Sequence, residues 1–463
     1  MSGVAKRELH SIAPGEIAVI GLGRSGIAAS ELLLSRGRTV YACDDSSYAS
    51  IAQAAEKLAM RGATVQTGGH DALRIARAAA VVVSPGVPPD AAPILAARNA
   101  ERQILSEIEI ALRYAPDLQY IAVTGTNGKT TTTALIGHLL RSLGVSAPDA
   151  GNIGTPLSAV VNESVLPEWV SLELSSFQLH DTPGIDPNVG VLTNLSADHL
   201  DRYANVDEYF GDKALMFRNA TTESHWVINA DDPASLQMVG GIAGLQHHFS
   251  LTAPADAWYD RDAGCLTVNG DALLPRRDLA LLGDHNVANA LAAALAVINA
   301  SELFGSAGSR STIADALRSF RAMPNRLEVV GEWNGIEWIN DSKATNVASA
   351  LVAVQGMTRP TVLLLGGRHK GEPYTALAEP IRSHVKHIIA FGEAASIVEQ
   401  DLSGVAPLTR VNGSFEDVMA TARKLADAGD VVLLSPACSS YDMFNNYVER
   451  GKRFRALAES RDG

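Results

Sequence analysis

Short apolar runs alternate with helix-length segments along the whole 463-residue chain. Three of these runs are Ile17-Ala18-Val19-Ile20, Tyr120-Ile121-Ala122-Val123 and Val431-Val432-Leu433-Leu434. Runs of this kind, rich in β-branched residues and joined by helices, are typical of parallel strands whose sheet is covered on both faces. The pattern therefore predicts an α/β fold.

The chain is too long for one hydrophobic core, and its apolar runs form three groups. The groups predict three α/β domains, at residues 1–107, 108–322 and 323–463. In the third group, Trp333-Asn334-Gly335-Ile336 predicts a β-hairpin, because Asn-Gly supplies the two positive φ angles of a type I′ turn.

Composition excludes several classes of protein. The net charge of -13 argues against binding to nucleic acid, which requires a basic face. Residues 1–16 lack the apolar core of a signal peptide, and no run approaches the roughly 20 apolar residues of a membrane span. Cys43, Cys265 and Cys438 are too widely spaced to suggest disulfides or a thiolate metal site. We expect a cytoplasmic protein, and a monomer is compatible with these features.

A first glycine loop, Gly21-Leu22-Gly23-Arg24-Ser25-Gly26, lies between a predicted strand and a predicted helix. Asp44 and Asp45 follow about 20 residues later, at the end of the next strand. Such glycines let the backbone approach a phosphate, and the acidic side chain can bind a ribose hydroxyl. The loop alone favours a nicotinamide dinucleotide; another phosphorylated ligand and a purely structural turn remain alternatives.

A second glycine loop, Thr124-Gly125-Thr126-Asn127-Gly128-Lys129-Thr130-Thr131, also follows a strand and precedes a helix. Lys129 can reach the β- and γ-phosphates of a nucleotide, and Thr130 can place its hydroxyl on Mg²⁺. The general motif has a glycine five residues before Gly128, where this chain has Val123. The loop is therefore a shortened phosphate-binding loop.

Two candidate metal ligands follow neighbouring predicted strands. Glu173 ends the strand Val170-Ser171-Leu172, and His199 follows the strand predicted over Gly190–Leu195. The carboxyl ends of parallel strands meet at one edge of a sheet, which is where such folds bind ligands. The sequence thus predicts that both residues bind metal beside the phosphate loop, although imidazole is a softer ligand than Mg²⁺ prefers.

Together these segments resemble the motifs of the Mur ligases, which build the peptidoglycan stem peptide, and of the related folylpolyglutamate synthetases. Further motifs similar to the family's occur in its order along nearly the whole chain: Gly151-Asn152-Ile153-Gly154, Glu173 to Leu179, Asp198 to Arg202, Gly283 to Asn286, Asn325-Arg326 and Asp341 to Asn346. Ser435 to Asp442 is similar to the C-terminal signature of the members that add D-glutamate. No counterpart of the Asp-Asn-Pro-Arg motif of diaminopimelate-adding members is found.

The resemblance implies a Rossmann-like N-terminal domain, a central P-loop ATPase-type domain with a mostly parallel sheet, and a C-terminal Rossmann-like α/β domain. It also implies an ATP-dependent ligase of peptidoglycan precursor synthesis that adds D-glutamate to UDP-N-acetylmuramoyl-L-alanine. In this reaction ATP phosphorylates the substrate carboxylate, the amine of D-glutamate attacks the acyl phosphate, and phosphate leaves. This plan agrees with the chemistry, because a carboxylate becomes electrophilic only when its oxygen becomes a good leaving group.

The resemblance also assigns residues to the ATP and metal sites. Lys129, Glu173, His199 and Lys213 are expected to be catalytic. The ligands of two Mg²⁺ ions would be Thr130, Glu173, His199 and Lys213 as a CO₂-derived carbamate. Residues expected to bind ATP are Gly125, Thr126, Asn127, Gly128, Lys129, Thr130, Thr131, Asn286, Asn289, Arg326 and Asp341.

Two further sets follow from the resemblance. The UDP-linked substrate is expected at Gly23, Arg24, Ser25, Asp44, Ser84, Gly86, Asn152, Ser175 and Gln178, so the first glycine loop would bind a uridine diphosphate rather than a nicotinamide cofactor. D-Glutamate is expected at Thr345, Lys370, Ser440 and Tyr447. Tyr447 stands where the resemblance leads us to expect phenylalanine.

The sequence leaves three alternatives open. One is a sibling Mur ligase, or a folylpolyglutamate synthetase-like enzyme, that adds a different amino acid. Another is a nicotinamide-dependent dehydrogenase built on the first glycine loop, which would leave Lys129, Glu173 and His199 without a role. The third is a non-catalytic nucleotide-binding regulator.

Overall fold

The structure is a computed structural model that describes residues 12–198 and 202–460. This part of the chain forms two compact units. One contains the described residues up to Asp278 together with Ala288–Arg318, and the other contains Leu279–Val287 with the described residues from Ser319 onward. Each unit has its own buried apolar core. The domain boundaries near residues 107 and 322 stay a prediction.

The first sheet belongs to the first unit and is wholly parallel. Its strands are β1 (Ile17–Ile20), β2 (Val40–Asp44), β3 (Thr64–Thr67), β4 (Ala80–Val83) and β5 (Ile104–Ser106), in the order β3-β2-β1-β4-β5. The helices are α1 (Arg24–Ser35), α2 (Ala49–Met60), α3 (Ala72–Arg77), α4 (Ala92–Asn99) and α5 (Glu107–Tyr114). β1 is buried along its whole length, as its uninterrupted apolar run predicts.

The second sheet also lies in the first unit and has nine strands. They are β6 (Tyr120–Thr124), β7 (Asp149–Gly151), β8 (Val170–Glu173), β9 (Val189–Leu192), β10 (His225–Asn229), β11 (Leu245–Ser250), β12 (Ala257–Asp260), β13 (Cys265–Val268) and β14 (Asp271–Pro275). Their order is β14-β13-β12-β11-β10-β9-β6-β8-β7. The strands are parallel except at the outer edge, where β12, β13 and β14 pair antiparallel.

Seven helices accompany this part of the chain. They are α6 (Lys129–Ser142), α7 (Leu157–Val161), α8 (Ser176–His180), α9 (Val206–Ala214), α10 (Pro233–Val239), α11 (Asp284–Ala300) and α12 (Ala307–Ser319), with 3₁₀ turns at Leu215–Phe217 and Arg276–Asp278. The strand predicted over Gly190–Leu195 is shorter in the structure, since β9 ends at Leu192. The reason is that Thr193 and Asn194 form hydrogen bonds with the phosphate loop.

The third sheet belongs to the second unit. Its strands are β15 (Glu328–Trp333), β16 (Ile336–Asn340), β17 (Thr361–Gly366), β18 (Val385–Phe391), β19 (Leu408–Val411) and β20 (Val431–Leu434), in the order β15-β16-β20-β17-β18-β19. The helices are α13 (Val347–Gln355), α14 (Ala378–His384), α15 (Ala395–Asp401), α16 (Phe415–Leu425) and α17 (Tyr447–Glu459), with a 3₁₀ turn at Tyr374–Leu377. Only β15 is antiparallel to its neighbour. The predicted hairpin is confirmed, with φ angles of 55° at Asn334 and 76° at Gly335.

The predicted α/β class is thus confirmed, with three mostly parallel sheets. All three cysteines are free thiols: Cys43 and Cys438 are buried, whereas Cys265 on β13 is partly exposed. In the described ranges, no helix is long and apolar enough to span a bilayer.

Candidate active site

The shortened phosphate loop connects β6 to α6. Its two glycines have φ angles of 138° at Gly125 and 82° at Gly128, which other residues rarely adopt. A Cβ atom at Gly125 would lie 2.0 Å from Oγ1 of Thr193, and one at Gly128 would lie 2.4 Å from Oδ1 of Asn289. The compact form of the loop therefore requires both glycines.

The residues just after β9 support this loop. Oδ1 of Asn194 accepts a hydrogen bond from the backbone N–H of Asn127 (2.9 Å), and Oγ1 of Thr193 donates to the carbonyl of Asn127 (2.6 Å). Neither residue has a role predicted from the sequence. Their position at the end of a strand beside β6 was the available signal, because strand ends of a parallel sheet share one edge.

Two lysine amines converge on the carbonyl of Gly125. Nζ of Lys129 lies 2.9 Å from this oxygen and 2.8 Å from the carbonyl of Thr126, and Nζ of Lys213 lies 2.6 Å from the Gly125 oxygen. Lys213 is only 1% exposed, and its amine lies 4.6 Å from the centroid of the Tyr209 ring. Burial, and secondarily the charge of Lys129, lowers the pKa of Lys213 well below its ordinary value.

Glu173 ends β8 at the same sheet edge as the phosphate loop, as predicted. Its Oε1 accepts a hydrogen bond from Nδ2 of Asn152 (2.7 Å). Its Oε2 is buried and, among the described residues, has no hydrogen-bond partner. A buried carboxylate oxygen without a donor is costly, and a cation would satisfy it.

The residues present fit Mg²⁺, which prefers oxygen ligands. Glu173 offers a carboxylate oxygen, and Thr130 offers a buried hydroxyl in the first turn of α6. His199, another of the predicted metal ligands, lies outside the described residues.

One cavity brings together most of the residues predicted to bind the UDP-linked substrate. It has a volume of about 750 Å³, and its lining includes Gly23, Arg24, Ser25, Asp44, Ser84 and Gly86. Asp44 accepts hydrogen bonds from the backbone N–H groups of Leu22 (2.6 Å) and Ser46 (2.8 Å), so it fixes the glycine loop. His70 also lines this cavity and was missed in the sequence, where nothing local marks it.

Three more residues predicted to bind this substrate already have partners. Asn152 donates to Glu173, whereas Ser175 and Gln178 form the capping box at the start of α8. Gln178 lines a neighbouring cavity of about 700 Å³ that also includes Ser84.

The predicted nucleotide residues of α11 lie in its first turns. Nδ2 of Asn286 donates to the carbonyl of Leu282 (2.8 Å). Oδ1 of Asn289 accepts a hydrogen bond from Oγ1 of Thr132 (3.2 Å), and the same oxygen lies close to Gly128. Asn289 therefore lies beside the phosphate loop.

In the second unit, Asp341 follows β16 and is buried. Its carboxylate accepts hydrogen bonds from Oγ of Ser435 (2.8 Å) and from the backbone N–H of Leu327 (3.2 Å). Burial raises the pKa of Asp341 to about 7, against these hydrogen bonds and the charge of Arg326. Arg326 and Asp341 are thus close enough to interact electrostatically.

The residues predicted to bind D-glutamate lie in the second unit, three of them in adjacent loops. Thr345 follows β16, Ser440 follows β20 and Lys370 follows β17, and these strands are neighbours in the sheet. Tyr447 begins α17, and the amine of Lys343 lies 4.3 Å from the centroid of its ring. Hydroxyl and ammonium groups at one sheet edge suit a dicarboxylate.

These features define an α/β protein with a shortened phosphate loop, beside which two lysine amines and a buried carboxylate lie. Family models match three segments: the "Mur ligase MurD-like, N-terminal domain" at residues 15–106, the "Mur ligase middle domain" at 123–297, and the "Mur ligase, glutamate ligase domain" at 325–438. The chain belongs to the Mur ligase family, whose members are ATP-dependent ligases that form amide bonds.

Curated relatives match over almost their entire length. The UDP-N-acetylmuramoylalanine–D-glutamate ligase of Geotalea uraniireducens (strain Rf4) is 38% identical over 458 residues, covering 96% of this chain and 98% of the relative. The enzyme of the same name from Anaeromyxobacter dehalogenans (strain 2CP-C) is 39% identical over 459 residues, covering 96% and 97%. The family prediction is confirmed, and a nicotinamide-dependent dehydrogenase finds no support.

Solved structures show the same fold at lower identity. A pseudomurein peptide ligase type C from Methanothermus fervidus superposes with a TM-score of 0.61 at 20% identity, covering 96% of this chain and 99% of that chain. MurF from Acinetobacter baumannii superposes with a TM-score of 0.59 at 16% identity, covering 92% and 91%.

Proposed function

We propose that this chain joins D-glutamate to UDP-N-acetylmuramoyl-L-alanine at the expense of ATP, as a step in the synthesis of peptidoglycan precursors. The observation that carries the amino-acid specificity is the match to D-glutamate ligases across 96% of the chain. We also propose a cytoplasmic location, because the reaction consumes ATP.

In the first step, a carboxylate oxygen of the UDP-linked substrate attacks the γ-phosphorus of ATP, and ADP leaves. Such a transfer depends on positioning and on neutralising charge. The N-terminus of α6 offers backbone N–H groups to the phosphates, and Lys129, held by the carbonyls of Gly125 and Thr126, adds a positive charge. We assign Arg326 and Asp341 to the nucleotide as well.

Mg²⁺, when bound, supplies further positive charge to the phosphate oxygens. Glu173 and Thr130 would hold it, together with His199. The unpartnered Oε2 of Glu173 supports this assignment.

We further propose that Lys213 carries a carbamate. Its neutral amine would attack CO₂, a nitrogen–carbon bond would form, and one proton would leave. The product would replace an ammonium by carboxylate-like oxygens that suit a metal. Support comes from the burial of Lys213 and its lowered pKa, because only the neutral amine is nucleophilic.

In the second step, the amine of D-glutamate attacks the acyl carbon and loses a proton, and the tetrahedral intermediate expels phosphate. We assign Lys370, Thr345, Ser440 and Tyr447 to D-glutamate. The loops that carry Lys370, Thr345 and Ser440 follow adjacent strands of one sheet, which supports a common site.

The proposal is tested by measuring phosphate release with ATP, UDP-N-acetylmuramoyl-L-alanine and single amino acids. We expect turnover with D-glutamate and none with L-lysine or diaminopimelate. The variant Lys129→Ala should abolish turnover, and Lys57→Ala on the exposed face of α2 serves as the control. Release with L-lysine or diaminopimelate but not with D-glutamate would contradict the specificity.

A further inference from the structure

Arg450, on the buried face of α17, is an arginine with 0% exposure. Its Nε donates to Oγ of Ser342 (3.0 Å), and one Nη donates to the carbonyls of Ser342 (2.8 Å) and Cys438 (3.1 Å). The other Nη donates to the carbonyl of Ser439 (3.4 Å). The planar guanidinium therefore binds two separate segments of the second unit at once.

These four acceptors are all electrically neutral. Burying a charge is expensive, and a neutral acceptor offsets the cost less than a carboxylate does. Burial lowers the pKa of Arg450 to about 10, which still leaves the side chain protonated at neutral pH. An apolar residue of similar volume often serves stability as well as a buried charge does, so stability alone does not explain this arginine.

The two segments that Arg450 binds lead directly to predicted site residues. Ser342 follows Asp341, which we assign to the nucleotide, and Ser439 precedes Ser440, which we assign to D-glutamate. Oγ of Ser342 also donates to the carbonyl of Tyr447 (2.8 Å). Arg450 is thus hydrogen-bonded both to the segment that carries Asp341 and to the segment that carries Ser440.

We propose that Arg450 is a positioning residue that fixes the Ser439-Ser440 segment against the Asp341-Ser342 segment, so that the amino-acid substrate meets a preformed site. The inference rests on the proposed function. A lysine cannot replace the arginine here, because a single ammonium cannot reach acceptors on both segments in a fixed fork. Preorganisation of this kind is measured as affinity for the substrate it serves.

The test compares Arg450→Lys with two controls on the same helix. Arg453→Lys makes the same chemical change at an exposed site that pairs with Glu416. Phe454→Leu disturbs a fully buried neighbour and reports the effect of lost stability alone. We expect Arg450→Lys to raise the KM for D-glutamate about 10-fold or more, while the KM for the UDP-linked substrate stays within about twofold. Both controls should keep the KM for D-glutamate within about twofold.

A lowered melting temperature with an unchanged KM for D-glutamate, as expected for Phe454→Leu, would overturn the proposal. If Arg450→Lys does not fold, Ser342→Ala provides the test, because it removes one acceptor of Arg450 and the hydrogen bond to the carbonyl of Tyr447. The KM for D-glutamate should then rise. An unchanged KM would overturn the proposal. Absence of wild-type turnover with D-glutamate would contradict the proposed function alone. The same variants would then be compared with the amino acid that the wild type accepts.

Discussion

Lys213 lies in an environment that does not suit an ordinary lysine. Its amine is buried, lies over an aromatic ring, and shares the carbonyl of Gly125 with Lys129. Two positive charges at one oxygen repel each other, which favours the neutral form of the buried amine. The neutral amine of Lys213 is therefore available as a nucleophile, and its burial lowers the stability of the fold.

Replacing Lys213 by methionine tests this balance. The pKa of Lys213 is lower in the folded chain than in the unfolded chain. Between these two pKa values the unfolded chain binds more protons than the folded chain, so protonation favours unfolding. The wild-type lysine therefore lowers stability at neutral pH. Lys213→Met should therefore keep or raise the melting temperature at pH 7, and the stability gained should shrink as the pH rises toward the ordinary lysine pKa.

The activity of Lys213→Met should fall by about 10-fold or more, since losing a group that supports a metal site typically costs about 10- to 100-fold. Phosphate release and thermal unfolding measure the two effects, and Lys57→Met on the exposed face of α2 is the control. Near-normal turnover would show that neither the amine nor its carbamate is needed.

At the scale of elements, the connection between β6 and α6 depends on backbone conformations that only glycine adopts easily. Gly125 faces both an unfavourable φ angle for other residues and a direct clash with Thr193. Gly144, at the other end of α6, also has a positive φ angle (82°, against 138° at Gly125), but a Cβ atom added there would meet no atom within 4 Å. Alanine substitutions at Gly125 and Gly144 therefore separate the effect of backbone strain from the effect of a displaced loop.

Gly125→Ala should displace the loop and lower kcat/KM for ATP about 100-fold or more. A loss of this size is typical when one hydrogen-bond donor to the charge of the transition state is removed. Gly144→Ala should cost about 1 kcal/mol of stability and leave ATP kinetics unchanged. Steady-state kinetics and urea unfolding of both variants provide the comparison. Equal kinetic losses in the two variants would mean that strain, and not loop geometry, is responsible.

The elements that could be predicted were those with local signals. The glycine loops, the Asn334-Gly335 turn and Glu173 at a strand end all follow from short patterns and from the common edge of parallel strands. The end of β9 could be expected beside the phosphate loop, but the particular hydrogen bonds of Thr193 with Asn127 and of Lys213 with Gly125 could not be predicted. They join residues 66 and 88 positions apart, and only the packing of the whole sheet brings them together.

At the scale of the whole molecule, the chain has two compact units with separate cores. The residues predicted to bind the UDP-linked substrate all lie in the first unit, and those predicted to bind D-glutamate all lie in the second. A ligand that binds only the folded form of one unit stabilises that unit by mass action.

Calorimetry should therefore resolve two unfolding transitions, and UDP should raise the midpoint temperature of only one of them. At about 100 times its Kd, UDP stabilises its unit by about 2.7 kcal/mol. Arg24→Ala, which alters the lining of the cavity of about 750 Å³ at the first glycine loop, should reduce this shift. A single transition that moves as a whole with UDP would show that the units unfold together.

The unequal burial of the three thiols has a practical consequence. Burial raises the pKa of Cys43 to about 12 and that of Cys438 to about 11, so both thiols are shielded and protonated. Cys265, on the antiparallel margin of the second sheet, is the thiol that a maleimide dye reaches first. The natural sequence thus offers a single attachment point for a fluorescent reporter, outside every residue assigned to substrate, without prior removal of cysteines.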